Sequence, residues 1–421
     1  MNTALIQLRD YQRSISQRAS EIIYEHGFVY LAMEVRTGKT LTSIATCENI
    51  AKKFGRKFNV LFVTKKKAIS SISSDVAAYG SEWVEARFIN YESLHTINAK
   101  CDILILDEAH SLGAFPKPSQ RAKTVASIVA KNKCYVILMS GTPTPESYSQ
   151  MYHQVYGIPS SPFIKFKTFY QFANSYVEVR TKKINGFDIR DYSRGSQEIV
   201  RIMSPYTISF SQSEAGFNSK ITEHIKYVPP KSMVIDIIRE LKNNKVVYIG
   251  DEVILADTGV KMMSKIHQLC GGTVISESGK AILISDHKVQ FIFDEFQGKK
   301  MGIFYKFKAE YEMIKSVMGD MVTDNLDEFN QTNKHIALQI VSGREGISLK
   351  NADVLVYYNI DFSATSYWQS RDRMTTSTSL ESDVYWIFTE GGIESNVYGV
   401  VSNKKDFTIR HFNRVTLFSN D

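Results

Sequence analysis

Glu34-Val-Arg-Thr-Gly-Lys-Thr40 stands between an apolar run, Phe28–Met33, and a segment with helical spacing, Thr40–Phe54. Read as strand, loop and helix, it ends in the G-K-[ST] of a phosphate loop. In such a loop the backbone N–H groups around Arg36, Thr37 and Gly38 and the positive end of the helix face phosphate oxygens. Lys39 then neutralises β/γ charge, and the Thr40 hydroxyl is a ligand for Mg²⁺. The pattern's first glycine is absent, because Met33 occupies that position. The strand before the motif and the helix after it separate the motif from an ordinary turn.

A second stretch supports the first. Cys101-Asp-Ile-Leu-Ile-Leu-Asp-Glu-Ala-His110 is a short apolar strand that ends in two adjacent acids. The carboxyl edge of a parallel sheet is where ligands bind. At that edge Asp107 is expected to hold Mg²⁺ and Glu108 to orient the attacking water. Two such motifs in this order predict a nucleoside-triphosphate site.

Working outward, the chain alternates strand candidates with helical segments. Asn59–Val63, Arg87–Asn90, Asp102–Leu106 and Tyr135–Met139 follow Phe28–Met33, and Ser119–Lys131 has helical spacing. Alternation of this kind implies βαβ units and a parallel sheet covered on both faces. After Pro159-Ser-Ser-Pro162 the rhythm breaks, and it resumes with Met301–Tyr305, Ile336–Val341, Asp353–Tyr358 and Asp383–Phe388. With 421 residues and roughly 150 residues per domain, the expected fold class is α/β. It consists of a first RecA-like lobe at 1–157, a helical, basic-aromatic insertion at 158–225, a second RecA-like lobe at 226–402 and a tail at 403–421.

Composition narrows the class. Hydrophobic residues at 43% and charged residues at 23% describe an ordinary globular chain. The longest apolar runs fall short of a bilayer span of about 18 residues, so no membrane association is expected. The first residues, MNTALIQLRDYQ, lack the pattern of a secretory signal. Four scattered cysteines exclude a zinc ribbon and a disulfide scaffold and suit a cytoplasmic setting. A net charge of +7 permits a polyanionic partner without requiring one. A monomer is the default expectation.

Leu8-Arg-Asp-Tyr-Gln12, the phosphate loop, Asp107-Glu-Ala-His110 (a DEAH box) and Ser140-Gly-Thr-Pro143 together resemble the first lobe of a superfamily-two helicase. The resemblance implies that Gln12 contacts adenine and selects ATP, and that the Ser-Gly-Thr-Pro segment couples hydrolysis to lobe movement. It also implies that Lys65 and Lys66, in Val63-Thr-Lys-Lys-Lys67, and Tyr91 meet a nucleic-acid backbone. In the second lobe, Gly302-Ile-Phe-Tyr-Lys306 is similar to the strand that opens that lobe in the family. Ser342-Gly-Arg-Glu-Gly-Ile-Ser-Leu349 resembles the loop that touches nucleic acid through Ser342 and Arg344 and the nucleotide through Gly346. Tyr367-Trp-Gln-Ser-Arg-Asp-Arg373 resembles the family's Q-x-x-x-R motif, with Gln369 and Arg373 as its members. The family's last arginine falls at Thr376, so the resemblance implies that Arg373 is the transition-state cation, that Arg371 substitutes for it, or that hydrolysis is weak.

Phe163–Phe172 and Lys265–Gly272 resemble the segments between lobes in Swi/Snf-type ATPases, in a compact form similar to phage or bacterial members. The resemblance implies an ATP- and Mg²⁺-dependent enzyme that moves along nucleic acid, double-stranded DNA above all. A strand-separating or branch-remodelling helicase is the alternative, with a pin hidden in the insertion or in Val247–Val260. A nucleotide-gated DNA-binding clamp with little hydrolysis is the alternative from another class. The insertion itself admits two readings. Residues 157–190 carry six Lys/Arg against two acids, interleaved with seven Phe/Tyr residues, which suits tracking phosphates and stacking on bases. Alternatively, Phe163, Phe166, Phe169, Tyr170 and Phe172 form the apolar stripe of a helix packed on a lobe.

Overall fold

Uniformly apolar runs of four to seven residues become the inner strands, because a parallel sheet covered on both faces offers no wet side. The computed structural model describes residues 6–418 other than 98–99, 185–186, 217–219, 341–348, 364–365, 368–369, 371–380, 404–411, 413–414 and 416. It divides into two compact units, residues 1–216 and 217–421. Both are α/β lobes built on a six-stranded parallel sheet.

The first unit contains β1 (Phe28–Met33), β2 (Phe58–Thr64), β3 (Val84–Asn90), β4 (Ile103–Leu106), β5 (Tyr135–Met139), a hairpin of β6 (Arg180–Ile184) and β7 (Phe187–Asp191), and β8 (Thr207–Phe210). Six of these form one sheet in the order β3-β2-β4-β5-β1-β8, parallel throughout. Alternate side chains of a strand leave by opposite faces. Val29, Leu31, Phe62, Ile105 and Ile137 therefore meet Ile15, Ala19 and Ile23 of α1 (Asp10–His26) and Ile44, Cys47 and Ala51 of α2 (Lys39–Phe54). Phe28, Tyr30, Leu61, Leu104 and Leu138 leave by the other face and meet Val125 and Val129 of the helix Gln120–Asn132. Each such side chain contributes about 1.5–3 kcal/mol on burial, and Leu104→Ala would cost about 2–5 kcal/mol.

The second unit contains β9 (Lys220–Val228), a hairpin of β10 (Val246–Ile249) and β11 (Glu252–Leu255), the short pair β12 (Thr273–Ile275) and β13 (Ala281–Leu283), then β14 (Met301–Tyr305), β15 (Val322–Thr323), β16 (His335–Gln339), β17 (Val354–Tyr357) and β18 (Glu381–Thr389). Its main sheet, again six-stranded and parallel, has the order β15-β16-β14-β17-β18-β9. Pairing of β9 with β18 runs unbroken from Lys220↔Glu381 to Val228↔Thr389.

The expected insertion at 158–225 is shared between the units. Thr207–Phe210 completes the first sheet beside β1, and Lys220–Val228 forms the edge of the second. Of the aromatic stripe, Phe163, Phe169 and Phe172 are buried in the first unit's core with Tyr152 and Met203, while Tyr170 is 45% exposed. Helix Phe169–Tyr176 starts at Thr168, whose hydroxyl accepts from the Gln171 N–H at 3.3 Å. The packing reading thus accounts for most of these rings. Among the described residues, no helix is long and apolar enough to cross a membrane.

Candidate nucleotide site

Four strands of the first sheet release the chain at one edge, and each release carries part of the site. Beyond β1, Arg36 takes φ 64 and Gly38 φ 79 before α2 begins at Lys39. A left-handed non-glycine residue such as Arg36 is strained and persists only where its surroundings hold it. The loop is held from within. The buried Thr37 hydroxyl donates to the Glu34 carbonyl at 2.7 Å, and Lys39 Nζ donates to the carbonyls of Met33 (3.0 Å) and Glu34 (3.1 Å). Lys39 and Thr40 open a helix of 16 residues, whose amino end favours anions.

Gly38 is required at its position. A Cβ there would lie 2.0 Å from Gln12 Nε2. Gln12, 4% exposed, donates from Nε2 to the Gly38 carbonyl at 3.3 Å and accepts the Arg9 N–H at 2.8 Å. One amide hydrogen and one lone pair remain for a ligand. The structure thus brings Gln12 to the phosphate loop, 26 residues away in sequence.

Beyond β4, the acids turn sharply, with Glu108 at φ 49. Asp107 Oδ2 accepts from the Thr64 hydroxyl at 2.8 Å, which ties the end of β4 to the end of β2. Glu108 Oε2 lies 3.2 Å from His110 Nδ1, and the same nitrogen is 2.9 Å from Ser140 Oγ beyond β5. Ser140 Oγ also accepts the Thr142 N–H at 3.1 Å. The Ser-Gly-Thr-Pro turn lies next to the phosphate loop, since a Cβ on Gly141 would stand in van der Waals contact with the Val35 nitrogen at 3.4 Å.

Burial, and then the charge of Glu108, push the Asp107 carboxyl up to about 6. For Glu108 burial acts upward too, but the hydrogen bond and charge of His110, with Lys39 and Lys65, bring it down to about 2. One adjacent acid is thereby held as an anion. A hydroxyl (Thr40) and a carboxylate (Asp107) fit Mg²⁺, which takes one or two protein oxygens and leaves the rest to phosphates and water. Among the described residues no group of three or more His, Cys, Asp or Glu gathers for a metal, and that small donor set does not need one.

One expectation changes with the fold. Tyr91 is 3% exposed, and its hydroxyl donates to the Asp107 carbonyl at 2.6 Å, so it braces the acidic turn and does not face nucleic acid. Lys66 is exposed as expected, while Lys65 is half-buried beside Glu108. Ser342, Arg344, Gly346, Gln369, Arg371, Arg373 and Thr376 lie outside the described residues. Their flanks are anchored: the Asp361 carboxylate accepts from Lys306 Nζ at 2.9 Å and from Ser366 Oγ at 2.6 Å, and the Tyr367 hydroxyl donates to Glu223 at 2.9 Å. Thr64, His110 as a bridge and Tyr91 as a brace had no signal of their own in the sequence. A polar residue closing an apolar strand, as Thr64 does, is the nearest to one.

Comparisons with known proteins match parts of the chain to two families. Residues 5–77 match the family of type III restriction enzyme res subunits, and residues 262–375 match the helicase conserved C-terminal domain. A chromodomain-helicase-DNA-binding protein 3 homolog from Caenorhabditis elegans is 21% identical over 423 aligned positions, which cover 91% of this chain. The chain spans about a fifth of that relative's length, 21%. Among solved structures, the Sulfolobus solfataricus SWI2/SNF2 ATPase core domain is 14% identical with a TM-score of 0.43, covering 100% of this chain and 96% of its own. The same core in complex with dsDNA is 15% identical with a TM-score of 0.43, covering 95% and 92%.

Proposed function

We propose that this chain, a superfamily-two helicase-like ATPase dependent on nucleic acid, hydrolyses ATP with Mg²⁺ to move along duplex DNA without separating its strands. The convergence of four separate loops on one sheet edge carries the reading: Thr64 on Asp107, His110 between Glu108 and Ser140, and Gly141 beside Val35.

In this reading Gln12 accepts and donates at the adenine edge. The amides of Arg36, Thr37 and Gly38 and the ammonium of Lys39 take the phosphates. Thr40 and Asp107 would hold Mg²⁺, which when bound would supply positive charge for the phosphate oxygens. Glu108, kept ionised, orients the water that attacks the γ-phosphorus. The family resemblance assigns Gly346, Gln369 and Arg373 to the nucleotide, with Arg373 as the transition-state cation. Lys65, Lys66, Ser342 and Arg344 contact the nucleic-acid backbone, which positions the protein without reading sequence.

The link from Glu108 through His110 to Ser140 gives hydrolysis a route to the Ser-Gly-Thr-Pro turn, and so to movement. A triplex-displacement assay on duplex DNA tests the reading. The chain should displace the third strand only with hydrolysable ATP, and a folded Lys39→Ala variant should not. Displacement by that variant would refute it.

A second reading has specific support. Two antiparallel hairpins, Arg180–Asp191 and Val246–Leu255, stand outside the main sheets, as a strand-separating pin would. Unwinding of a forked duplex that is lost on deleting either hairpin would favour a helicase over a translocase.

A further inference from the structure

β8 runs beside β1 and stops level with it, in the register Met33↔Phe210. The segment leaving β8 therefore starts beside the phosphate loop. The Glu34 N–H donates to the Phe210 carbonyl at 2.9 Å. The Gln212 N–H donates to Glu34 Oε2 at 2.8 Å, and Gln212 Nε2 donates to the Val35 carbonyl at 3.0 Å. Val35 is thus held at its carbonyl by Gln212, while Gly141 of the Ser-Gly-Thr-Pro turn lies close to its nitrogen. The next residue is Arg36, the left-handed position.

Residues Ser211–Gly216 are themselves a closed turn. Glu214 Oε2 accepts from both the N–H and the hydroxyl of Ser211 at 2.7 Å, and the Ala215 N–H returns to the Ser211 carbonyl at 3.2 Å. Gly216 ends the turn at φ 79, and the chain passes into the second unit at Phe217. One short, self-braced segment therefore joins the phosphate loop to the covalent connection between the lobes.

We propose that Gln212 is a positioning residue that couples the phosphate loop to the interlobe connection. Through its two hydrogen bonds, a rearrangement of Glu34–Arg36 on nucleotide binding or hydrolysis moves Ser211–Gly216. Movement of the connection when nucleic acid binds is passed back to the loop by the same bonds. The inference rests on the ATPase reading above and adds to it a second route between the site and the lobes, separate from the Ser-Gly-Thr-Pro turn. Gln212 reaches the loop's backbone and touches no reacting atom.

The test compares the full chain with Gln212→Glu, which is isosteric but cannot donate to the Val35 carbonyl, and with Gln212→Lys, which keeps a donor within reach. ATP hydrolysis is measured with and without duplex DNA, and the ratio of the two kcat values is read, with thermal unfolding as a control on folding. Gln212→Glu should lower the ratio about fivefold, the order expected for one lost hydrogen bond, at an unchanged unfolding temperature. Gln212→Lys should keep most of the ratio. An unchanged ratio in Gln212→Glu, or an equal loss in Gln212→Lys, overturns the inference while the ATPase reading stands. A wild-type chain that duplex DNA does not stimulate overturns both.

Discussion

The two lobes share a sheet plan but place their buried charge differently. In the first, the half-buried acids Asp107 and Glu108 sit at the sheet edge among loops, close to Lys39, Lys65 and His110. In the second, charge is sealed inside. Lys288 and Glu394, both fully buried, meet at 2.6 Å, and Lys288 also donates to the Tyr358 carbonyl at 3.0 Å. Glu310, buried as well, accepts the backbone N–H groups of Lys306 and Phe307 and the amide of Asn359. The first lobe's charges serve a site that a ligand completes. In the second, Lys288 joins Glu394 and the chain beyond β17, and Glu310 joins the turns after β14 and β17. The same chemistry makes a reactive edge in one lobe and a rigid scaffold in the other.

That contrast can be broken most severely at Lys288. Lys288→Ala leaves Glu394 buried without its cation and should destabilise the second lobe by about 3–5 kcal/mol, read by urea unfolding. Lys288→Met with Glu394→Leu should recover much of the loss. If the single variant costs no more than a surface change, the scaffold account of this pair is wrong.

The corresponding change in the first lobe should act on activity. Lys39→Ala should lower kcat by roughly 10²–10³, as for loss of one preorganised electrostatic group, with the unfolding midpoint nearly unmoved. A large loss of stability in this variant would make Lys39 structural.

A pH series sharpens the comparison. Burial, and then the neighbouring Lys288, lower His287 from 6.5 to about 4. His287 faces Ser285 Oγ and Thr389 Oγ1, with Lys231 and Asp286 nearby. Between these values the unfolded chain binds the extra proton, so stability is present above about 6.5 and is lost as pH falls toward 4. Buried His267 and partly buried His335 are lowered too and act in the same direction. Denaturant midpoints of the second lobe should fall through this window, and His287→Gln should flatten the slope. The smallest effect is expected at the brace. Tyr91→Phe removes one hydrogen bond to the acidic turn and should cost about 1 kcal/mol in unfolding free energy.

Much of this was legible in the chain. Strands β1, β4 and β5 are apolar along their length, and the phosphate loop and acid pair are local patterns whose chemistry is written in consecutive residues. β8 and β9 were not legible as sheet members. Thr207-Ile-Ser-Phe210 is short, and Lys220–Val228 mixes charge with apolar residues because it lies at a sheet edge. Their membership depends on partners far away in sequence. The same limit applies to the site: Thr64, Tyr91 and Gln212 act on Asp107 and Val35 through contacts of 43, 16 and 177 residues' separation. Tyr91 also shows how a family position can mislead, since its ring is spent on holding the acids and not on a ligand.

The central claim is that the first lobe's edge is a nucleic-acid-stimulated ATP site whose water is oriented by Glu108. Steady-state ATP hydrolysis, measured alone and with duplex DNA, single-stranded DNA or single-stranded RNA beside a Glu108→Gln control, tests it most directly. The account predicts stimulation greatest with duplex DNA and abolished by Glu108→Gln. Hydrolysis that is absent under every condition, or that survives Glu108→Gln at the wild-type rate, would contradict it.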